Sequence, residues 1–124
     1  MAAHRAQMSE HPILIIFMGS DWDEMSKTLD REVLKNPDFG GYTKLNFVLM
    51  KADFPQEQLQ PPDVQVANLE MAAKYKIKSF PTLLLVDSNG NELARTVYQG
   101  WKFEEFMTNM NALAQQARTP KANS

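Results

Sequence analysis

Between residues 20 and 26 the sequence sets three carboxylates and two hydroxyls around a tryptophan: Ser20, Asp21, Trp22, Asp23, Glu24 and Ser26. Such side chains could act as general acid or base, hold a cation, or supply a serine nucleophile beside a base. Each of these chemistries meets an obstacle in the sequence itself. No pair among Asp21, Asp23 and Glu24 has metal-motif spacing, and the two histidines, His4 and His11, stand near the N-terminus. A solvated acidic lip is the plainer account of these acids. Ser20, Ser26 and Ser79 lack any local cue for a triad, such as a nucleophile elbow. Acid–base work by Asp21, Asp23 or Glu24 needs a closed pocket and a raised carboxyl pKa, and nothing in the pattern announces either. The chain contains no cysteine, which removes disulfides, thiolate metal ligands and cysteine nucleophiles in one step. These residues therefore call for no metal and no cofactor.

The elements that must position this cluster can be read on both sides of it. A length of 124 residues, 44% hydrophobic and 23% charged, fits one globular domain able to bury a core. The formal net charge of -2 excludes the basic surface that nucleic-acid binding requires. The longest apolar run, Ile13–Met18, is too short to span a bilayer, so no membrane insertion is expected. Residues 1–10 lack a signal-type apolar block and read as an N-terminal arm or short helix. Ile13–Met18 has the continuous pattern of a strand covered on both faces. Ser20 with Asp23 three residues on suggests a capping box, followed by a helix with Met25, Leu29, Val33 and Leu34 on one stripe. Asn36–Asp38 begins a short helical piece carrying Phe39 and Tyr42. Residues 46–54 form a second buried strand, and Pro55–Asp63 a surface loop. Val66, Leu69 and Ala73 mark a helix over 64–75. Ile77–Val86 holds a third strand, with Pro81 inside it or at its edge. Asp87–Gly90 is a hairpin turn leading to an antiparallel partner over 92–98. Lys102–Ala117 is an amphipathic helix with Phe103, Phe106, Met110 and Leu113 on one side, and 118–124 reads as a disordered tail. Strands joined through a helix are expected to run parallel, so the order predicts a mixed sheet with helices on both faces, an α/β sandwich of three layers.

That order, with the residues at its joints, resembles the thioredoxin superfamily, and within it a bacterial group whose first strand runs into Gly-Ser-Asp-Trp-Cys-x-x-Cys. The matching stretch here is Phe17-Met18-Gly19-Ser20-Asp21-Trp22-Asp23-Glu24-Met25-Ser26. Phe80-Pro81-Thr82 matches the family's turn, Asp53-Phe54-Pro55 follows the second strand as it should, and the likeness covers residues 10–117. The resemblance implies a thioredoxin-like domain over 11–117, with Pro81 preceded by a cis peptide bond. It also implies a groove beside that proline where the backbone pairs with an extended substrate. Asp23 and Ser26 occupy the two cysteine positions, and Ile16 stands where a buried Asp often assists the second thiol. A carboxylate and an unactivated serine cannot exchange disulfides.

Each residue also has a bland account. Asp23 is explained by helix capping, Trp22 by sideways packing on the helix, Pro81 by a purely architectural turn, and the eight methionines mostly by core filling. The functional expectation is a redox-inactive domain, not an enzyme. It binds a protein or peptide through Trp22, Asp23, Ser26, Ser79, Phe80 and Pro81, with the ligand paired against the Ser79 backbone. The alternatives are an assembly domain with a vestigial site, in which a partner or second copy covers Trp22, and a non-redox enzyme using Asp21, Asp23 or Glu24. Relatives of this kind are often exported, which favours an extracytoplasmic, periplasmic location.

Overall fold

Strand β1 occupies Ile13–Met18, and all six of its side chains are buried. Successive strand residues point to opposite faces, so β1 feeds two cores at once. Ile13, Ile15 and Phe17 join Val48, Ala52, Tyr75, Leu84 and Val86 on one face. Leu14, Ile16 and Met18 join Leu29, Val33, Leu83, Leu85, Phe106 and Met110 on the other. The computed structural model describes residues 11–118. The expected arm over 1–10, with His4, and the tail past Arg118 lie outside them.

After β1 come helix α1 (Glu24–Leu29), a π-turn over Asp30–Leu34 and helix α2 (Phe39–Asn46). Then follow β2 (Val48–Asp53), α3 (Pro62–Lys74), β3 (Thr82–Val86), β4 (Glu92–Val97) and α4 (Phe103–Arg118). The sheet order is β2-β1-β3-β4. Leu29, Val33, Phe39 and the Phe103, Phe106, Met110 and Leu113 stripe of α4 cover one face of the sheet. Met71, Ala72 and Tyr75, from α3 and the residue after it, cover the other. The result is the mixed sheet with helices on both faces that the sequence predicts. At the hairpin, Asp87 accepts from the Asn89 and Asn91 N–H groups, both at 2.9 Å, and Gly90 turns the chain with φ +83°.

Three expectations need correction. The β1–β2 connection is parallel, but β3 pairs antiparallel with β1 and so opposes β2, although a helix joins β2 to β3. A helical crossover permits parallel pairing without dictating it, and the seven residues of 75–81 carry the chain to the other edge of β1. Within 77–86 the strand is Thr82–Val86, with Pro81 at its edge as expected. The stripe of Val66 and Leu69 on α3 exists but faces outward, with both residues 53% exposed, while Asn68 is buried. The Asn68 amide donates to the Asp53 carbonyl at 3.0 Å, which turns this helix face toward the end of β2. Met25 is likewise on the outer side of α1, near Gly100.

Helix α3 ends in a Schellman motif. Lys76 N–H donates to the Ala73 carbonyl and Ile77 N–H to the Ala72 carbonyl, with Lys76 at φ +54°. Ile77 packs on the same cluster as Met71 and Ala72, which supplies the motif's hydrophobic contact. A side chain in the left-handed region costs about 1–2 kcal/mol. Lys76→Gly is expected to raise stability by up to about 1 kcal/mol in urea unfolding; a lower midpoint would show that the lysine side chain contributes more than its backbone strain.

Candidate functional site

The strand registers bring three loops to one end of the sheet. Met18 pairs with Asp53 in the parallel ladder, so the chain leaves β1 and β2 at the same level. Phe17 pairs with Thr82 in the antiparallel ladder, so β3 begins there too. Segments 19–23, 53–57 and 79–81 therefore meet beyond the ends of β1 and β2. In open α/β sheets, the crevice outside the carboxyl ends of the strands is where ligands bind.

The first segment is held by a closed hydrogen-bond network. Asp23 is the N-cap of α1, and its carboxylate accepts from the Ser26 N–H at 2.8 Å and the Ser26 hydroxyl at 2.7 Å. The Ser26 hydroxyl accepts in turn from the Gly19 N–H at 3.0 Å. Ser26 is fully buried, and these bonds satisfy its polar groups as burial requires. The cap is thus Asp23 and not the Ser20 of the expected capping box. Ser20 instead turns to β2, where its N–H and hydroxyl donate to the Asp53 carboxylate at 2.9 and 2.5 Å.

Trp22 joins the three loops. Its indole N–H donates to the Phe54 carbonyl at 2.7 Å, and its ring meets Phe80 edge-on at 5.9 Å. Phe80 stacks on Phe54 at 5.3 Å. The indole lies directly on Gly19, where an added Cβ would sit 2.5 Å from a ring carbon. Trp22, Asp23 and Phe80 are half-buried and Ser79 is exposed, whereas Ser26 and Pro81 are buried beneath them. The Phe80–Pro81 peptide bond is cis. The Ser79 carbonyl accepts from the Thr82 hydroxyl at 2.6 Å, and the Pro81 carbonyl from the Tyr98 N–H at 3.0 Å. Trp22, rather than Asp23 or Ser26, links this loop to residues 79–81. Phe54 is a rim residue that the sequence reading does not single out for binding. Its signal was its place at the end of β2, level with the end of β1.

The acids do not converge on a reacting centre. Asp21 accepts from the Gln56 and Glu57 N–H groups, each at 2.9 Å, and the Gln56 bond chiefly holds its carboxyl below the usual range. A general acid at neutral pH needs the opposite shift. Glu24 is exposed and pairs loosely with Lys27 at 3.7 Å. The clefts bordered by Glu32 and Lys102 and by Glu104 and Thr108 open near the start of α4, away from these acids.

A family model described as a thioredoxin-like domain matches residues 1–114. The disulfide bond reductase DsbH of Chlamydia pneumoniae is 30% identical over 98 residues, covering 79% of this chain and 59% of its own length. The thioredoxin-related protein DsbJ of the same organism is 29% identical over 94 residues, 76% of this chain and 27% of that protein. The chain thus spans under two thirds of each relative. Among solved structures, a DsbH oxidoreductase superposes with a TM-score of 0.84 at 25% identity, covering 92% of this chain and 79% of that one. A thioredoxin from Thermus thermophilus reaches 0.66 at 17% identity, over 94% of this chain and 84% of that one. These relatives correct the expectation that the chain stands outside the enzymes. The proteins it is similar to are named as a disulfide bond reductase and an oxidoreductase, an enzyme-type family, although this chain has no cysteine.

The contact of Trp22 with Gly19 leaves no room for a methyl group. In a Trp101→Phe background, which leaves Trp22 as the single tryptophan, Gly19→Ala is expected to expel the indole. Its emission should shift to longer wavelength, with a stability loss of about 1–3 kcal/mol. Unchanged emission would show that the loop yields instead of the ring.

Proposed function

The chain belongs to the thioredoxin-like family, and on that premise we propose that it binds an extended protein or peptide segment without exchanging thiols of its own. The ligand lies on the rim of Trp22, Asp23, Ser79 and Phe80, above the buried Ser26 and Pro81. The observation that carries this reading is the aromatic cluster: Trp22 is pinned by its bond to Phe54 and set edge-on to Phe80. A half-buried, immobilised aromatic contributes contact area at little entropic cost, which is why such residues anchor interfaces. An extended ligand adds to exposed main chain as a strand would. That pairing falls to the Ser79 and Phe80 backbone; the Ser79 carbonyl, which also accepts from the Thr82 hydroxyl, keeps a second lone pair for it. The Asp23 carboxylate and Ser26 hydroxyl hold the helix start by hydrogen bonds, at the two positions that carry cysteine in the motif this stretch resembles. Relatives named for disulfide reduction favour an extracytoplasmic setting, where disulfides persist.

The test is a two-dimensional amide NMR titration of the labelled chain with a reduced, alkylated, unfolded polypeptide. Shifts should cluster at Trp22, Asp23, Ser79, Phe80 and Thr82, and Trp22→Ala should weaken binding by about tenfold or more, the scale of an interface hot spot. Shifts confined to another face, or none, would overturn the reading.

The loop geometry has its own test. Asp23 and Ser26 already touch through their side chains, so Asp23→Cys with Ser26→Cys is expected to form an intramolecular disulfide that dithiothreitol reverses. Two thiols that stay free under oxidising conditions would show that the loop does not hold these positions at exchange distance.

A further inference from the structure

We propose that the segment bound at this rim is cationic: an extended peptide with Lys or Arg beside the apolar residue that meets Trp22 and Phe80. The inference rests on the binding reading above and names the chemistry of its partner. Two of the three loops, residues 19–26 and 53–61, contain Asp21, Asp23, Glu24, Asp53 and Glu57 and no lysine or arginine. The rest of the chain holds the other ten acidic residues and all thirteen basic ones, so negative charge is concentrated at the aromatic rim. The loops are stitched together by the bonds of Asp21 to the Gln56 and Glu57 N–H groups and of Ser20 to Asp53, which holds the Asp21 and Asp53 carboxylates in place, with Asp23 fixed at the helix cap and Glu24 and Glu57 exposed beside them. Four lysines border these segments in the chain, Lys27, Lys51, Lys76 and Lys78, against five acids within them. Lys27 shares an exposed, loose contact with Glu24, worth little as a pair, and Lys78 is exposed next to Ser79. An acidic rim around an aromatic surface raises the local concentration of cations and repels anions. The bonds that hold the Asp21 carboxyl low keep that charge in place through mild acid.

The experiment uses two synthetic ten-residue peptides with a central Phe, one flanked by four Lys and the other by four Glu. Their binding to the whole chain is followed by amide NMR and by fluorescence anisotropy. The Lys peptide should bind about tenfold or more tightly at low salt, an advantage that shrinks severalfold toward 1 M salt as screening shortens. Glu24→Gln with Glu57→Gln, two exposed positions, should reduce that advantage while shifts at Trp22 and Phe80 persist. Equal affinity for both peptides, with shifts at Trp22 and Phe80, would overturn the charge inference and leave the groove reading standing. No shifts there with either peptide would overturn both.

Discussion

Strand β1 is hydrogen-bonded along both edges and buried on both faces, and this double constraint sets the position of everything at the site. Its parallel pairing brings the end of β2 level with Gly19, and its antiparallel pairing brings the start of β3 to the same level. A shift of one residue in either ladder would send Ile13, Ile15 and Phe17 into the wrong core, so the two cores enforce the register. The three loops meet where they do because six apolar residues admit only one pairing. The site is a consequence of packing before it is a matter of chemistry.

At the loop itself the constraint passes from apolar contact to hydrogen bonding. Asp23, Ser26 and Gly19 form a chain in which each donor has an acceptor, and Ser20 and Asp21 fasten the loop to residues 53–57. A buried hydroxyl left without partners would cost about 1–3 kcal/mol; here Ser26 instead joins the cap of α1 to the end of β1. The same residue types that rule out thiol exchange therefore hold the family's scaffold in place.

Much of this was legible in the sequence, and the limits have physical reasons. The continuous apolar run of β1, the Asp-Ser-Asn-Gly turn and the Phe103, Phe106, Met110 and Leu113 stripe are each dictated locally, and each stands within a residue or two of its expected bounds. Asp23 was read as a cap from its place at a helix start, and it is one. What the sequence could not disclose depends on partners distant in the chain. Ser20 looked like the cap because its actual partner, Asp53, is thirty-three residues away. On α3, Val66 and Leu69 carried the helical period, but the buried face was decided by Asn68 reaching the Asp53 carbonyl. The antiparallel entry of β3 depends on which edge of β1 was free, a property of the assembled sheet. At the rim, Trp22 was visible, but its bond to the Phe54 carbonyl was not, since a main-chain acceptor leaves no mark in residue type.

The pair formed by the Asp23 carboxylate and the Ser26 hydroxyl has one further consequence. Two thiols exist in two covalent states, with different bonds, charges and loop shapes. A carboxylate and a hydroxyl exist in one. This loop therefore has no dithiol–disulfide couple, and its shape does not depend on the thiol–disulfide balance around it. The hydrogen bonds among Asp23, Ser26 and Gly19 take no part in thiol–disulfide exchange, so the start of α1 keeps the same bonds in a reducing and in an oxidising thiol buffer.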